Sequence, residues 1–274
     1  MHRQFRISTI MVLAMAAPVL AAGAVTLDLS SPRDGDFMPP GASFEWVINA
    51  TVSTGDNLGL SMISVDLVQD PGNPELFDLP QAQEVPIEMS CFERPEGVGN
   101  PPPDGYVSGY LGWPMGDPGQ RNLAQIGGAQ NSFGAAAGGM GSDVDVEPGI
   151  GQSPEGQDIA AGVFTVPDTL GDYTFSIEAP LANVIDAVNP PPDWSPVSAA
   201  STDLAGDSIG FSVCLPADAN QDYVLTDADI SLFVDLLLDV EPIGDYALCA
   251  CDMNRDGIIN GADIQGFVGA SLPP

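Results

Sequence analysis

Apolar and polar positions alternate with a period of two in six short runs along the first two hundred or so residues. Val25, Leu27 and Leu29 form the first run. Phe44, Trp46 and Ile48 alternate with Glu45, Val47 and Asn49, and Ile63, Val65 and Leu67 alternate with Ser64, Asp66 and Val68. Later come Gly162-Val163-Phe164-Thr165-Val166, then Tyr173, Phe175 and Ile177 around Thr174 and Ser176, then Ile209, Phe211 and Val213 around Gly210 and Ser212. A period of two sends successive side chains to opposite faces of a strand, so each run predicts a half-buried strand. Pro39-Pro40, Pro101-Pro102-Pro103, Pro190-Pro191-Pro192 and scattered glycines punctuate the runs. Short strands joined by turns at this spacing predict an antiparallel, jelly-roll-like β-sandwich over 25–213. From about 91 to 158 the text turns Gly-, Pro- and Ala-rich, as in the glycine- and alanine-rich stretch from Gly134 to Gly141, and predicts long loops or an insertion on the sandwich.

Beyond Val213 the period changes to that of a helix. Ile230, Phe233, Val234 and Leu238 recur thirty-four residues later as Ile264, Phe267, Val268 and Leu272, which puts one apolar stripe on each of two helices. The same twelve-residue text precedes both. The first copy runs from Asp218 through Asn220, Asp222, Val224 and Thr226 to Asp229, and the second from Asp252 through Asn254, Asp256, Ile258 and Asn260 to Asp263. A Ca²⁺ ion takes about six to eight oxygen ligands. A loop that wraps one supplies carboxylates or amides at its first, third and fifth positions, a backbone carbonyl at the seventh, a further oxygen at the ninth and a carboxylate at the twelfth. Both copies fit, with Val224 and Ile258 giving the carbonyls. The sixth position turns sharply with positive φ; Gly257 enters that conformation freely, whereas Tyr223 costs about 1–2 kcal/mol there. Two Ca²⁺ sites are expected, the second the stronger. Leu225 and Ile259, at the eighth positions, are placed to pair between the loops.

Composition adds a compartment and removes several chemistries. Met1-His2-Arg3 to Arg6, an apolar run from Ile7 to Ala22 and the small residues Ala22-Gly23-Ala24 predict a cleaved secretory signal over 1–24, hence a secreted, extracellular or cell-surface protein without a membrane span. The chain carries 38 acidic and 6 basic residues, all of the latter arginine, and a net charge of −32. Two arginines and no acids lie in 1–24, so the remainder carries −34. Such a charge repels nucleic acid and anionic lipid and favours divalent cations or salty surroundings. His2 is the one histidine, so the chain after the signal has no Ser-His-Asp or Cys-His mechanism and no His-ligated zinc. Cys91, Cys214, Cys249 and Cys251 allow up to two disulfides; a bridge from Cys214 to Cys249 or Cys251 would clamp the loop region.

Lesser candidates lie in the sandwich region. Asp143, Asp145 and Glu147 alternate and are a candidate cation cluster; Tyr106, Tyr110, Trp113 and Trp194 are a candidate sugar-stacking platform; Asn49-Ala50-Thr51 is a glycosylation sequon by pattern.

With two loops each followed by an apolar helix, and Asp229 and Asp263 closing them where a typical EF-hand has glutamate, residues 214–274 resemble a dockerin. That resemblance implies a small α-helical module with two EF-hand-type Ca²⁺ loops that clamps a secreted protein onto a cohesin-type or surface scaffold partner, often in polysaccharide breakdown. In dockerins the tenth and eleventh loop positions often choose the partner through a hydroxyl-bearing pair, with basic residues on the helix beyond. The matching residues here are Asp227-Ala228 and Gly261-Ala262, with Asp235 and Gly269 on the helices, so the implied partner surface differs from the usual one. Residues 25–213 faintly resemble cohesin and carbohydrate-binding jelly rolls, through Ser64-Val65-Asp66-Leu67, Gly162-Val163-Phe164 and Tyr173-Thr174-Phe175. The expected protein is mainly β and non-catalytic, a sandwich docked through a Ca²⁺ module, with polysaccharide as a further candidate ligand. A small carboxylate-based glycosidase, or a carbohydrate-binding protein carrying the same module, is the alternative, since two carboxylates suffice for glycoside hydrolysis.

Overall fold

The computed structural model describes residues 23–83, 111–129, 148–189, 195–239 and 242–271. Eleven strands come first among these: β1 (Ala24–Ser30), β2 (Phe37–Met38), β3 (Ser43–Val52), β4 (Leu60–Gln69), β5 (Leu111–Met115), β6 (Asn122–Ala129), β7 (Gln157–Thr165), β8 (Gly171–Ile185), β9 (Val197–Ala199), β10 (Ser201–Gly206) and β11 (Ser208–Val213). Three helices follow: α1 (Asp227–Leu237), α2 (Asp245–Cys251) and α3 (Ile264–Ser271). None of the helices described is long and apolar enough to cross a membrane.

The strands form two sheets, β10-β1-β3-β7 and β2-β11-β8-β4-β6-β5, with β9 also paired to β8. Alternation set in the sequence decides which side chains meet between them. From the first sheet Leu27, Phe44, Trp46 and Ile48 point inward, and from the second Val65, Leu67, Phe175 and Phe211 do, all of them buried in one cluster. Their rings bridge the two layers: Phe44 lies 4.8 Å from Phe211, and Phe164 lies 4.7 Å from Phe175. Each such ring contributes about 1.5–3 kcal/mol by leaving water. Trp46 pairs across the ladder with Gly162, and a β-carbon at Gly162 would collide with the indole, so the glycine is what lets a tryptophan sit flat on β7.

Three expectations need correction. The sandwich is mixed rather than antiparallel, because β1 pairs β10 and β11 pairs β2 in parallel. Both parallel partners are edge strands that arrive from distant parts of the chain, where no hairpin dictates direction. Within 91–158, β5 and β6 are regular strands and β7 begins at Gln157. Their glycines hid them: β6 reads Asn-Leu-Ala-Gln-Ile-Gly-Gly-Ala, with Leu123 and Ile126 as its buried anchors. The apolar stripes are only partly buried: Phe233 and Phe267 are in the core, whereas Ile230, Val234, Leu238, Ile264 and Val268 remain exposed and Leu272 lies outside the described residues.

A second core forms around the helices from Cys214, Phe233, Leu236, Tyr246, Cys251, Ile259 and Phe267, with Phe37 of β2 and Leu225 packed against it. It is small, and a disulfide from Cys214 to Cys249 crosses it with a Cα–Cα distance of 6.2 Å.

Candidate metal centre

Each loop is built by carboxylates that fold the backbone around themselves. In the first, Asp218 Oδ1 accepts from the Asp222 amide at 3.2 Å and its Oδ2 accepts from the Tyr223 amide at 2.9 Å. Asp229 Oδ1 accepts from the Asn220 amide at 3.3 Å, and its Oδ2 from the Thr226 amide at 2.7 Å. The second loop repeats the set. Asp252 accepts from the Asp256 amide at 3.1 Å and the Gly257 amide at 2.7 Å, and Asp263 from the Asn254 amide at 3.1 Å and the Asn260 amide at 2.8 Å. Asn220 and Asn254 each donate from Nδ2 to the fifth-position Asp222 or Asp256, at 3.0 and 2.9 Å. Asp222 and Asp256 in turn accept from the amides of Val224 and Ile258, at 2.9 and 3.0 Å.

In the first loop the ninth and twelfth positions also start the helix. Thr226 is the N-cap of α1, its hydroxyl accepting from the Ala228 amide at 3.2 Å, and Asp229 completes a capping box. Asn260 makes the matching bond in the turn that leads into α3, its Oδ1 accepting from the Ala262 amide at 2.8 Å, and the Asp263 carbonyl accepts from the Phe267 amide of that helix at 2.8 Å. The closing aspartates are thus fixed by the helices that follow, and Asp229 and Asp263 are buried. Tyr223 has φ 61° and Gly257 φ 85°, as the sixth position requires. Gln221 and Arg255, at the fourth position, are also left-handed, with φ 63° and 61°, a demand that no glycine in the sequence announces.

Carboxylate oxygens of Asp218, Asp222 and Asp229 all lie within 4.8 Å of one another. Two ligands of one Ca²⁺ ion, at about 2.4 Å each, are at most about 4.8 Å apart, so the set has the span one ion needs. Among the described residues no second group of three acids converges so tightly, so Asp252, Asp256 and Asp263 keep the same amide partners in a more open arrangement. Among the described residues no basic side chain forms an ion pair with a loop carboxylate: Arg255 of the second loop donates to the Pro40 carbonyl, and the ion pair present is Arg33 with Asp36 in the sandwich. Like charges gathered this closely call for a cation, and an all-oxygen donor set suits a hard one such as Ca²⁺.

Tyr246 of α2 is a residue the sequence reading missed. Its hydroxyl donates to Asp218 Oδ2 at 2.6 Å. Burial first, then the bond to Asp218, pushes this phenol well above its ordinary range, so it remains a donor. No motif marks it, since it stands in the spacer between the loops. Cys251 is buried and unbridged. Burial, with the charges of Asp229, Asp218 and Asp263, pushes its thiol up to about 12, so it is inert at neutral pH.

Beyond the loops, Asn49 of the sequon donates to Asp158 Oδ1 at 2.9 Å across β3 and β7. Trp113 sits about one third exposed on edge strand β5, while Tyr106, Tyr110 and Trp194 of the stacking platform lie outside the described residues, as do Asp143, Asp145, Glu147 and Cys91.

No protein-family model matches the chain, and no curated protein matches it. Among solved structures, the chain is similar to the seventh ScaB type I cohesin from Pseudobacteroides cellulosolvens, at 10% identity over 69% of this chain and 92% of that one, with a TM-score of 0.37. It is also similar to the cohesin module of a family 33 glycoside hydrolase from Clostridium perfringens, at 11% identity over 68% and 99%, with a TM-score of 0.30. Both are cohesin modules, and likeness at this level assigns no activity.

Proposed function

We propose that this is a secreted, non-catalytic protein whose C-terminal loops and helices form a dockerin-like, Ca²⁺-organised docking module, presenting the β-sandwich to a cohesin-type or cell-surface scaffold partner. The observation that carries the reading is the repeated set of amide-to-carboxylate bonds in the two loops, with Asp218, Asp222 and Asp229 converging within 4.8 Å. In the first loop Asp218, Asn220, Asp222, Thr226 and Asp229 would hold the ion with the Val224 carbonyl, and in the second Asp252, Asn254, Asp256, Asn260 and Asp263 with the Ile258 carbonyl. A bound ion supplies the positive charge that lets these carboxylates stay together.

The docking face follows from what the helices leave uncovered. Ile230 and Val234 of α1 are 47% and 45% exposed, and Ile264 and Val268 of α3 are 46% and 48% exposed. They border a groove of about 250 Å³ floored by Phe233 and Phe267. Apolar residues left open on a chain this acidic suit a partner that covers them.

Calorimetric titration of the full chain with CaCl₂ after chelator treatment tests the metal: two binding events are expected, and the absence of heat at millimolar Ca²⁺ overturns the reading. Surface-plasmon measurement against a panel of cohesin modules tests the docking. Binding that requires Ca²⁺ and is lost in a Val234→Asp, Val268→Asp double variant supports it, and binding indifferent to chelator refutes it.

A further inference from the structure

The two loops do not merely follow the sandwich in the chain; the second touches one segment of it, residues 37–40, and the first reaches the same segment through Tyr246 of α2. Phe37 of β2 turns away from the sandwich core and packs on the second core, the edge of one ring against the other, with its centroid 5.2 Å from that of Tyr246 and the planes 83° apart. The Tyr246 hydroxyl in turn holds Asp218, the fully buried first carboxylate of the first loop. Three residues on, the Pro40 carbonyl accepts from Arg255 Nη2 at 3.2 Å, and Arg255 is the fourth residue of the second loop. Between these contacts the Met38 carbonyl accepts from the Cys214 amide at 3.1 Å, and Cys214 is bridged to α2. A cleft of about 620 Å³ opens beside the segment, walled by Arg33, Asp36 and Glu45 on one side and by Asp245, Leu248 and Arg255 on the other.

The contacts are unequal. Arg255 is an exposed side chain on a carbonyl, whereas Tyr246 and Asp218 are buried, with Phe37 half-buried against them, and this path ends on the carboxyl group of a proposed ligand. Asp252, the matching carboxylate of the second loop, accepts from the amides of Asp256 and Gly257, and no side-chain donor reaches it among the described residues.

Resting on the reading that the first loop takes Ca²⁺, we propose that ion binding there and the seating of the helical module against the sandwich are one linked equilibrium, transmitted through Phe37, Tyr246 and Asp218. An ion in the first loop needs Asp218 in one orientation; the Tyr246 hydroxyl sets that orientation together with the Asp222 and Tyr223 amides, and it is the one of the three whose ring packs on Phe37. Linkage is reciprocal, so a seated junction raises first-loop affinity and a loaded first loop holds the junction seated. Loaded, the module presents the sandwich in one fixed attitude; stripped, it releases it.

Tryptophan fluorescence of the full chain reads this directly, because Trp46, Trp113 and Trp194 all lie before residue 214 and none lies in the module. Saturating CaCl₂ should raise the thermal midpoint seen by tryptophan. Tyr246→Phe keeps the ring and removes the hydroxyl; it should weaken one of the two calorimetric Ca²⁺ events about tenfold, the scale of one hydrogen bond to a charged group, and at least halve the Ca²⁺-dependent rise. Phe37→Ala, which lies in the sandwich and touches no loop residue directly, should also weaken that one event and halve that rise, whatever it does to the midpoint without Ca²⁺. The linkage is overturned if Ca²⁺ binds the unaltered chain without moving the tryptophan midpoint, or if both variants keep its affinity and its rise. Absence of any Ca²⁺ heat would instead overturn the metal reading on which the linkage rests.

Discussion

Phe233 and Phe267 stack face to face, with ring centroids 3.9 Å apart and planes 4° from parallel. They hold equivalent positions in the two copies of the repeat, thirty-four residues apart. A residue that meets its own counterpart places a local two-fold axis at the contact, as in an isologous interface. The exposures obey it: Ile230 and Ile264 match at 47% and 46%, and Val234 and Val268 at 45% and 48%. Duplication has therefore produced one symmetric face, and the stack is its floor.

Removing either ring should collapse that face. Phe267→Ala is expected to destabilise the module by about 3–5 kcal/mol, the cost of a core phenylalanine plus the cavity it leaves. The helices described all lie in 227–271, so far-ultraviolet circular dichroism follows the module. The helical signal of the variant should melt well below that of the unaltered chain, and Phe233→Ala should match it.

The disulfide should matter to the module for a different reason. Cys214 and Cys249 are 35 residues apart, and closing a loop of that length restricts the unfolded chain by about 4 kcal/mol. A Cys214→Ser, Cys249→Ser double variant should lower the helix-detected midpoint, and added Ca²⁺ should recover part of the loss, since binding to the folded state alone stabilises it in proportion to the logarithm of ion concentration.

Single-carboxylate variants should separate the sites. Asp252→Ala removes an acid that fastens two amides of the second loop, so one Ca²⁺ event should vanish in calorimetry while the other persists. Asp218→Ala should remove the other event, and should also free the Tyr246 hydroxyl that Asp218 now accepts.

Much of this architecture was legible in residue pattern alone, and the exceptions have physical causes. Six runs with period-two alternation became β1, β3, β4, β7, β8 and β11, because each has bulky side chains on one face to announce the core. β5 and β6 were hidden because their text is short of such side chains, β2 and β9 because strands of two and three residues carry too few positions to show a period, and β10 because none of its six residues is buried. Strand direction at the edges was illegible in principle, being set by contacts across the whole chain, as between β1 and β10. At the loops the spacing singled out Asp218, Asp229, Asp252 and Asp263 as Ca²⁺ ligands, but not the backbone amides that each of them accepts, since those bonds appear only once the loop has closed. Tyr246 was invisible for the opposite reason: its role exists only after α2 has packed between Phe37 and Asp218.

The sixth loop positions give the sharpest comparison between the two halves. Tyr223, with φ 61°, lies in a region that costs a residue with a β-carbon about 1–2 kcal/mol. From strain alone, Tyr223→Gly should tighten the first loop by about tenfold. Yet the Tyr223 ring meets Tyr246 edge-on, with centroids 6.4 Å apart and planes at 80°, a contact worth about 0.5–1.5 kcal/mol that glycine forfeits. The two effects nearly cancel, so Tyr223→Gly should change the first-loop Ca²⁺ affinity by no more than about threefold in calorimetry. Gly257→Ala lacks any such compensation: φ is 85° and no atom lies within 4 Å of where its β-carbon would stand. The second loop should lose about tenfold in affinity from strain with nothing gained. A large gain for Tyr223→Gly would show that the ring contact contributes little, and an unchanged second site in Gly257→Ala would show that left-handed strain does not set the difference between the loops.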